Sequence, residues 1–220
     1  MASYFNLTLD TTAPSGLKVS INDDALYTTS TSVTVKITLS DEQTSGYQMK
    51  IWGIAGVSSE SAASWETFAA QKTVTLESGD GLKTVHVKVR DDVGNESAEA
   101  SDDITLNTAV PAVTVTGPDK AKISKVSGFD KSKISFTVDV DFAEYKVCVV
   151  PETSSTQDAG TQIPTDGGSV NTIGTGGSYP ASTPIEVTIS GADLQTASSG
   201  DGVKVVKVFV KTAAGIWSVA

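Results

Sequence analysis

His86 is the single histidine of this chain and Cys148 its single cysteine. Nucleophilic catalysis needs a Ser, Thr or Cys beside a base that takes its proton. His86 stands in LKTVHVKVRD (82–91), where valines alternate with polar residues, so it shares the outward side of a strand and reads as a surface histidine. Cys148 lies in another alternating run and reads as a small buried or half-buried side chain. No serine stands in a Gly-x-Ser-x-Gly elbow. GTGGS (174–178) has the glycines of a phosphate loop but lacks its Lys-Ser/Thr, and no helix follows; it reads as a flexible loop. The acid pairs Asp23–Asp24, Asp91–Asp92 and Asp102–Asp103 sit in or beside turns, where aspartate serves the backbone. A glycosidase would set two carboxylates in an aromatic cleft, and three tryptophans in all give no such pattern. Asn6-Leu7-Thr8 and Asn95-Glu96-Ser97 match the glycosylation sequon by chance, since no export signal accompanies them. No catalytic, cofactor-binding or metal residue is therefore assigned, and the chain is expected not to be an enzyme.

The elements carrying these residues are strands. YFNLTL (4–9) sets Phe5, Leu7 and Leu9 on one side and predicts a strand or strand-like arm. LKVSI (17–21), TSVTVKITL (31–39), YQMKIWG (47–53), KTVTLE (72–77) and LKTVHVKVRD (82–91) follow, with a last strand of the first unit within 96–107. Trp65 and Phe68, three apart, predict one face of a helical turn capping a core. A second cycle begins after Pro111: AVTVTG, KISFTVDV (133–140), EYKVCVVP (144–151), PIEVTIS (184–190) and VKVVKVFVK (203–211), with a helical turn in GADLQTAS (191–198). Residues 152–183, rich in Gly, Ser and Thr, read as a long exposed loop.

Composition agrees. Aromatics are 6% and charged residues 19% of 220 residues, and β-branched residues are abundant. The length suits two domains of about 110 residues each. About seven short strands per unit is the pattern of an immunoglobulin-like sandwich. The prediction is all-β: an N-terminal arm at 1–9, a first Ig-like domain at 10–108 and a second at 109–220. A net charge of −10 repels phosphate backbones and leaves no basic patch for an anionic membrane, so nucleic acid and membrane are excluded as partners. One cysteine permits no intrachain disulfide, which suits a reducing cytoplasm. MASYFNLTLDTTAP has neither the basic nor the apolar region of a signal peptide, so assembly in a cytoplasm is expected.

One segment is written twice. GDGLKTVHVKVRDDVGNES (79–97) returns as GDGVKVVKVFVKTAAGIWS (200–218), without a gap and 121 positions on. GDG makes a sharp turn in each copy. Val85, Val87 and Val89 match Val206, Val208 and Val210 on one face; His86, Lys88 and Arg90 match Lys207, Phe209 and Lys211 on the other. With LDTTAP (9–14) and WETF (65–68), the first copy resembles bacterial Ig-like (Big-type) repeat domains, which recur in surface adhesins and in structural proteins of tailed bacteriophages. The resemblance covers residues 10–108; over 109–220 it rests mainly on the second copy, where the DxxGN turn has become AAGIW.

The resemblance implies a virion structural protein, a capsid decoration or head-fibre-like protein docked by its N-terminal arm and assembled in the host cytoplasm. Its partners would be other virion proteins, of capsid or tail, with homo-oligomers allowed. The alternatives are a cell-surface adhesin module and a carbohydrate-binding module; the latter needs a planar strip of exposed aromatics, which Trp52, Tyr145, Tyr179 and Trp217 could supply but whose spacing shows no such strip. Some bacterial Ig-like repeats bind calcium at domain ends, and Asp10, Asp91, Asp92 and Asn95 are where this sequence would do so. Ordinary turn chemistry is the simpler reading of those four.

Overall fold

A computed structural model describes residues 6–40, 44–163 and 177–219. The chain divides into two compact units, one within 1–108 and one within 109–220. Both are immunoglobulin-like β-sandwiches.

The first unit contains β1 (Lys18–Ile21), β2 (Tyr27–Thr28), β3 (Ser32–Thr38), β4 (Gln48–Trp52), β5 (Glu66–Thr67), β6 (Gln71–Thr75), β7 (Gly81–Arg90) and β8 (Ala100–Leu106). One sheet runs β1-β3-β6 and the other β2-β8-β7-β4-β5. The pairings are antiparallel except β2 with β8. Period two decides what goes inside. Val33, Val35 and Ile37 of one sheet face Met49, Ile51, Val85, Val87, Val89 and Ile104 of the other, all buried. Gly53 ends β4 with φ +79°, and a Cβ there would lie 2.1 Å from the Thr84 carbonyl oxygen. Only glycine lets β4 leave β7 at that point.

The second unit contains β9 (Val113–Thr116), β10 (Lys131–Val138), β11 (Glu144–Val149), β12 (Thr161–Gln162), β13 (Ile185–Ser190), α1 (Gly191–Ala197) and β14 (Val206–Lys211). Its sheets run β9-β10-β13 and β12-β11-β14. Ile134, Phe136, Val138, Tyr145, Val147, Val187, Ile189, Val208 and Val210 build the core. Ser190 caps α1: its Oγ accepts from the Asp193 N–H at 3.0 Å and donates to Asp193 Oδ2 at 2.7 Å.

Several expectations change. Trp65 and Phe68 do not share a helical turn, because β5 lies between them and pairs with β4. Extended backbone sends neighbours to opposite sides, so Phe68 packs on the core while Trp65 sits under Lys50 and Arg90. Residues 6–9 form no strand, and Leu7 and Leu9 are 88% and 87% exposed; the rest of the expected arm, residues 1–5, lies outside the described residues. Within 152–183, Thr161 and Gln162 form β12 beside β11, and Ile163 is fully buried. Residues 164–176, with most of GTGGS, lie outside the described residues.

Phe209 is not on an exposed face. It is fully buried with Cys148 and Val150, beside Val205 and Trp217. The stretch after β11 lies over this side: Cys148 Sγ donates weakly to the Gln157 carbonyl at 3.9 Å, and Lys207 Nζ donates to the carbonyls of Glu152 at 3.2 Å and Ser154 at 2.6 Å. The segment expected to be a long exposed loop thus spends part of its length covering a phenylalanine.

Candidate functional site

The turn after β7 gathers three of the four residues named for calcium. Asp91 is buried. Its Oδ1 accepts from the N–H groups of Val93 at 3.0 Å and Asn95 at 2.8 Å, and its Oδ2 accepts from Asn95 Nδ2 at 2.7 Å. Asn95 Nδ2 also reaches the Asp10 carbonyl at 3.4 Å. The Asp10 carboxylate is taken up locally, its Oδ1 accepting from the Thr12 N–H at 2.9 Å, and Asp92 is exposed. Burial pushes the Asp91 carboxyl up, but the hydrogen bonds from Asn95, Val93 and Gly94 together hold it below the usual carboxylate range. Both Asp91 oxygens therefore serve the turn. No group of three or more His, Cys, Asp or Glu side chains among the described residues is placed to hold a metal.

His86 is stacked on Trp52, centroids 5.4 Å apart and planes 5° apart, and its Nδ1 lies 2.7 Å from Glu99 Oε1. Lys88 on the same outward face bonds Glu60 Oε1 at 2.8 Å, and Arg90 bonds Gln48 Oε1. These contacts pin β7 side chains to β4 and to the segments holding Glu60 and Glu99, and none sets a hydroxyl or thiol against His86. Burial pushes the Cys148 thiol up, which disfavours the thiolate.

The four aromatics weighed for a carbohydrate strip form none, as their spacing led one to expect. Trp52 is buried against His86. Tyr145 is buried in the second core, and Tyr179 stacks on Phe142 at 4.9 Å. Trp217 lies beneath Lys146 and Lys211, whose Nζ atoms are 4.9 and 5.2 Å from its ring centre. A cavity of about 590 Å³ opens beside β14, lined by Val149–Glu152, Asp158–Thr161, Ala197, Ser198 and Val203–Val205. Lys204 there bonds Ser198 Oγ at 3.2 Å and the Ser199 carbonyl at 3.1 Å, so its charge is spent on the loop.

The feature that sequence reasoning passed over is an edge. β7 is paired on both sides, by β4 and β8. β14 is paired along its length by β11 only, and no described strand lies on its other side.

The chain thus has the architecture of two Ig-like β-sandwich domains, by its own sheet order and register. No known family's sequence profile matches it, and no curated protein matches it. Among solved structures it is similar to the fibronectin(III)-like modules of CbhA from Clostridium thermocellum, at 13% identity, covering 91% of this chain and 88% of that one, with a TM-score of 0.44. It is also similar to chicken CNTN1 FN1–FN3 domains (15% identity, 94% of this chain, 62% of that one, TM-score 0.37). A third is a carbohydrate-binding module of the β-sandwich superfamily (13%, 95% and 99%, 0.35).

Proposed function

We propose that this chain is a non-enzymatic structural protein of a tailed-bacteriophage virion, a capsid-decoration or fibre-like protein that docks by its N-terminal segment and projects Ig-like sandwiches. The observation carrying this reading is the exposure of Leu7 and Leu9, on one side of an alternating stretch ahead of the first sandwich. Two large aliphatics spaced two apart and held in water are suited to strand addition on a partner's sheet edge. The rest of the surface fits a scaffold: polar groups at the turns and on the outward strands are engaged with one another, and the net charge of −10 disfavours nucleic acid. The expected partners are other virion proteins.

The test is density-gradient fractionation of the native source with mass spectrometry for this chain. Co-banding with intact particles at fixed stoichiometry is expected, and the copy number would separate capsid decoration from a tail part. Recovery with cell envelopes would replace this reading by a surface adhesin, and a freely soluble chain would end it.

A further inference from the structure

We propose that the connection between β9 and β10 in the second unit docks on an anionic lipid bilayer, with Val126 and Phe129 entering the interface and Lys120, Lys122 and Lys125 meeting acidic headgroups. This goes beyond the virion reading and does not rest on it.

The charge of −10 that argued against an anionic membrane is a sum over the whole chain, and it is spread unevenly. Five of the 16 basic residues fall within 120–133: Lys120, Lys122, Lys125, Lys131 and Lys133, against Asp130 alone. The corresponding connection of the first unit, 22–31 between β1 and β3, reads NDDALYTTST and holds two aspartates and no lysine. The sandwich itself therefore does not call for these lysines. The expectation that the chain has no basic patch fails at this segment, where all five lysines are exposed.

Hydrogen bonds fix the connection at its root and at its tip. At the root, the Oγ of the buried Ser132 lies 2.9 Å from both Asp119 Oδ1 and the Lys120 carbonyl, and Asp119 Oδ1 accepts from the Lys133 N–H at 2.6 Å. At the tip, the Phe129 N–H bonds the Val126 carbonyl at 2.9 Å across a turn in which Gly128 has φ +89°. The Ser124 N–H bonds the Phe129 carbonyl at 2.9 Å, and the Asp130 carbonyl accepts from the Gly191 N–H at 2.8 Å. A Cβ on Gly191 would lie 2.0 Å from the Ser124 carbonyl oxygen, so the tip is seated against the start of α1. That places it on the β13 side of the sheet β9-β10-β13. The same bonds hold two large apolar side chains out in water: Val126 is 65% and Phe129 71% exposed. A fixed turn that displays apolar groups marks a docking point.

Shape and charge select the occupant. The apex of a turn is convex, so whatever buries Val126 and Phe129 must enfold them. A lipid interface does this without a preformed groove, taking apolar side chains to the headgroup boundary. Lys120, Lys122 and Lys125 enter none of the ion pairs among the described residues. The acids around them are already engaged. Asp119 serves Ser132 and the Lys133 N–H, and Asp130 Oδ1 accepts from the Gly128 N–H at 3.0 Å. Glu186 pairs with Lys133, and Asp193 accepts from Ser190 Oγ. The uncommitted charge of the tip is therefore positive, and long lysine stems let the ammonium groups stay at headgroup level while the turn goes in.

The test is co-sedimentation of the purified 220-residue chain with vesicles of phosphatidylcholine, with and without phosphatidylglycerol. Binding to the anionic vesicles should be at least about tenfold tighter than to the neutral ones, and should weaken as salt is raised. Lys120→Glu/Lys122→Glu/Lys125→Glu should abolish it, and Val126→Ser/Phe129→Ser should weaken it at least about tenfold. All five positions are exposed, so these variants should unfold in denaturant as the parent does. Lys18→Glu/Lys36→Glu, an equally exposed pair in the first unit, should bind as the parent does. No binding to anionic vesicles overturns the proposal, as does equal binding to both kinds or binding that survives the triple lysine reversal. Poly-glutamate bound as tightly as the anionic vesicles, with no effect of Val126→Ser/Phe129→Ser, would make the segment a site for an acidic chain and overturn the bilayer as its partner.

Discussion

The two copies of the GDG–strand–turn segment adopt one backbone and live in different surroundings. Asp91 and Thr212 occupy the same turn position, each donating its N–H to the carbonyl four residues on, at 3.1 and 2.9 Å. Gly94 and Gly215 have φ of +93° and +91°, a left-handed conformation that turns of this kind reserve for glycine. The first copy is held by a buried carboxylate and zipped to β8. The second is held by a buried hydroxyl, Thr212 Oγ1 accepting from the Ile216 N–H at 3.2 Å, and its far edge meets no described strand. A turn and three inward valines are thus enough to specify the local path. The strand that follows the turn differs in length: ten residues for β7, paired with β4 and β8, and six for β14, paired with β11.

The largest break in this comparison is to make the first unit resemble the second. Ile104→Ala or Leu106→Ala removes a core side chain supplied by β8, and each should cost about 2–5 kcal/mol. Denaturant unfolding followed by hydrogen exchange should place the loss in residues 10–108 and leave the second unit unchanged. Next come the turns. Asp91→Ala strips three hydrogen bonds from a charged acceptor and should cost about 2–3 kcal/mol, whereas Thr212→Ala should cost about 1 kcal/mol. Equal costs would mean that the carboxylate adds nothing to the turn.

Acid should separate the copies too. The Asp91 carboxyl is held below its ordinary range in the folded chain, so its contribution is fully present above the unfolded-state value near 4 and is lost as pH falls through the folded-state value. The first unit should therefore become less stable below about pH 4, more so than in an Asp91→Asn variant, which no longer titrates there. Thr212 does not titrate, so the matching turn of the second unit should show no such loss. The smallest effect sharpens the likeness instead: Ser97→Ala and Ser218→Ala remove equivalent bonds to Val89 and Val210, and each should cost about 1 kcal/mol, equal within error.

Most strands were legible because period-two alternation reports directly on which side of a sheet a residue faces. Val33, Val35 and Ile37, or Ile134, Phe136 and Val138, need no tertiary knowledge to be placed inside. Two-residue strands were not. β5 and β12 exist only through β4 and β11, and nothing within WETF or GTQIP announces that partner. Phe209 was misplaced for a related reason: alternation fixes its side of the sheet, and a distant stretch decides whether that side is wet. The Asp91–Asn95 turn was legible as turn chemistry, down to the residues.

The most direct measurement is amide hydrogen exchange of the 220-residue chain at the two matching turns, comparing Asn95 with Ile216 before and after Asp91→Ala. The account predicts that the Asn95 N–H, held by the Asp91 carboxylate, loses protection in Asp91→Ala, while the Ile216 N–H, held by the Thr212 hydroxyl, keeps it. Unchanged protection of Asn95 in that variant would contradict a turn held by a buried carboxylate.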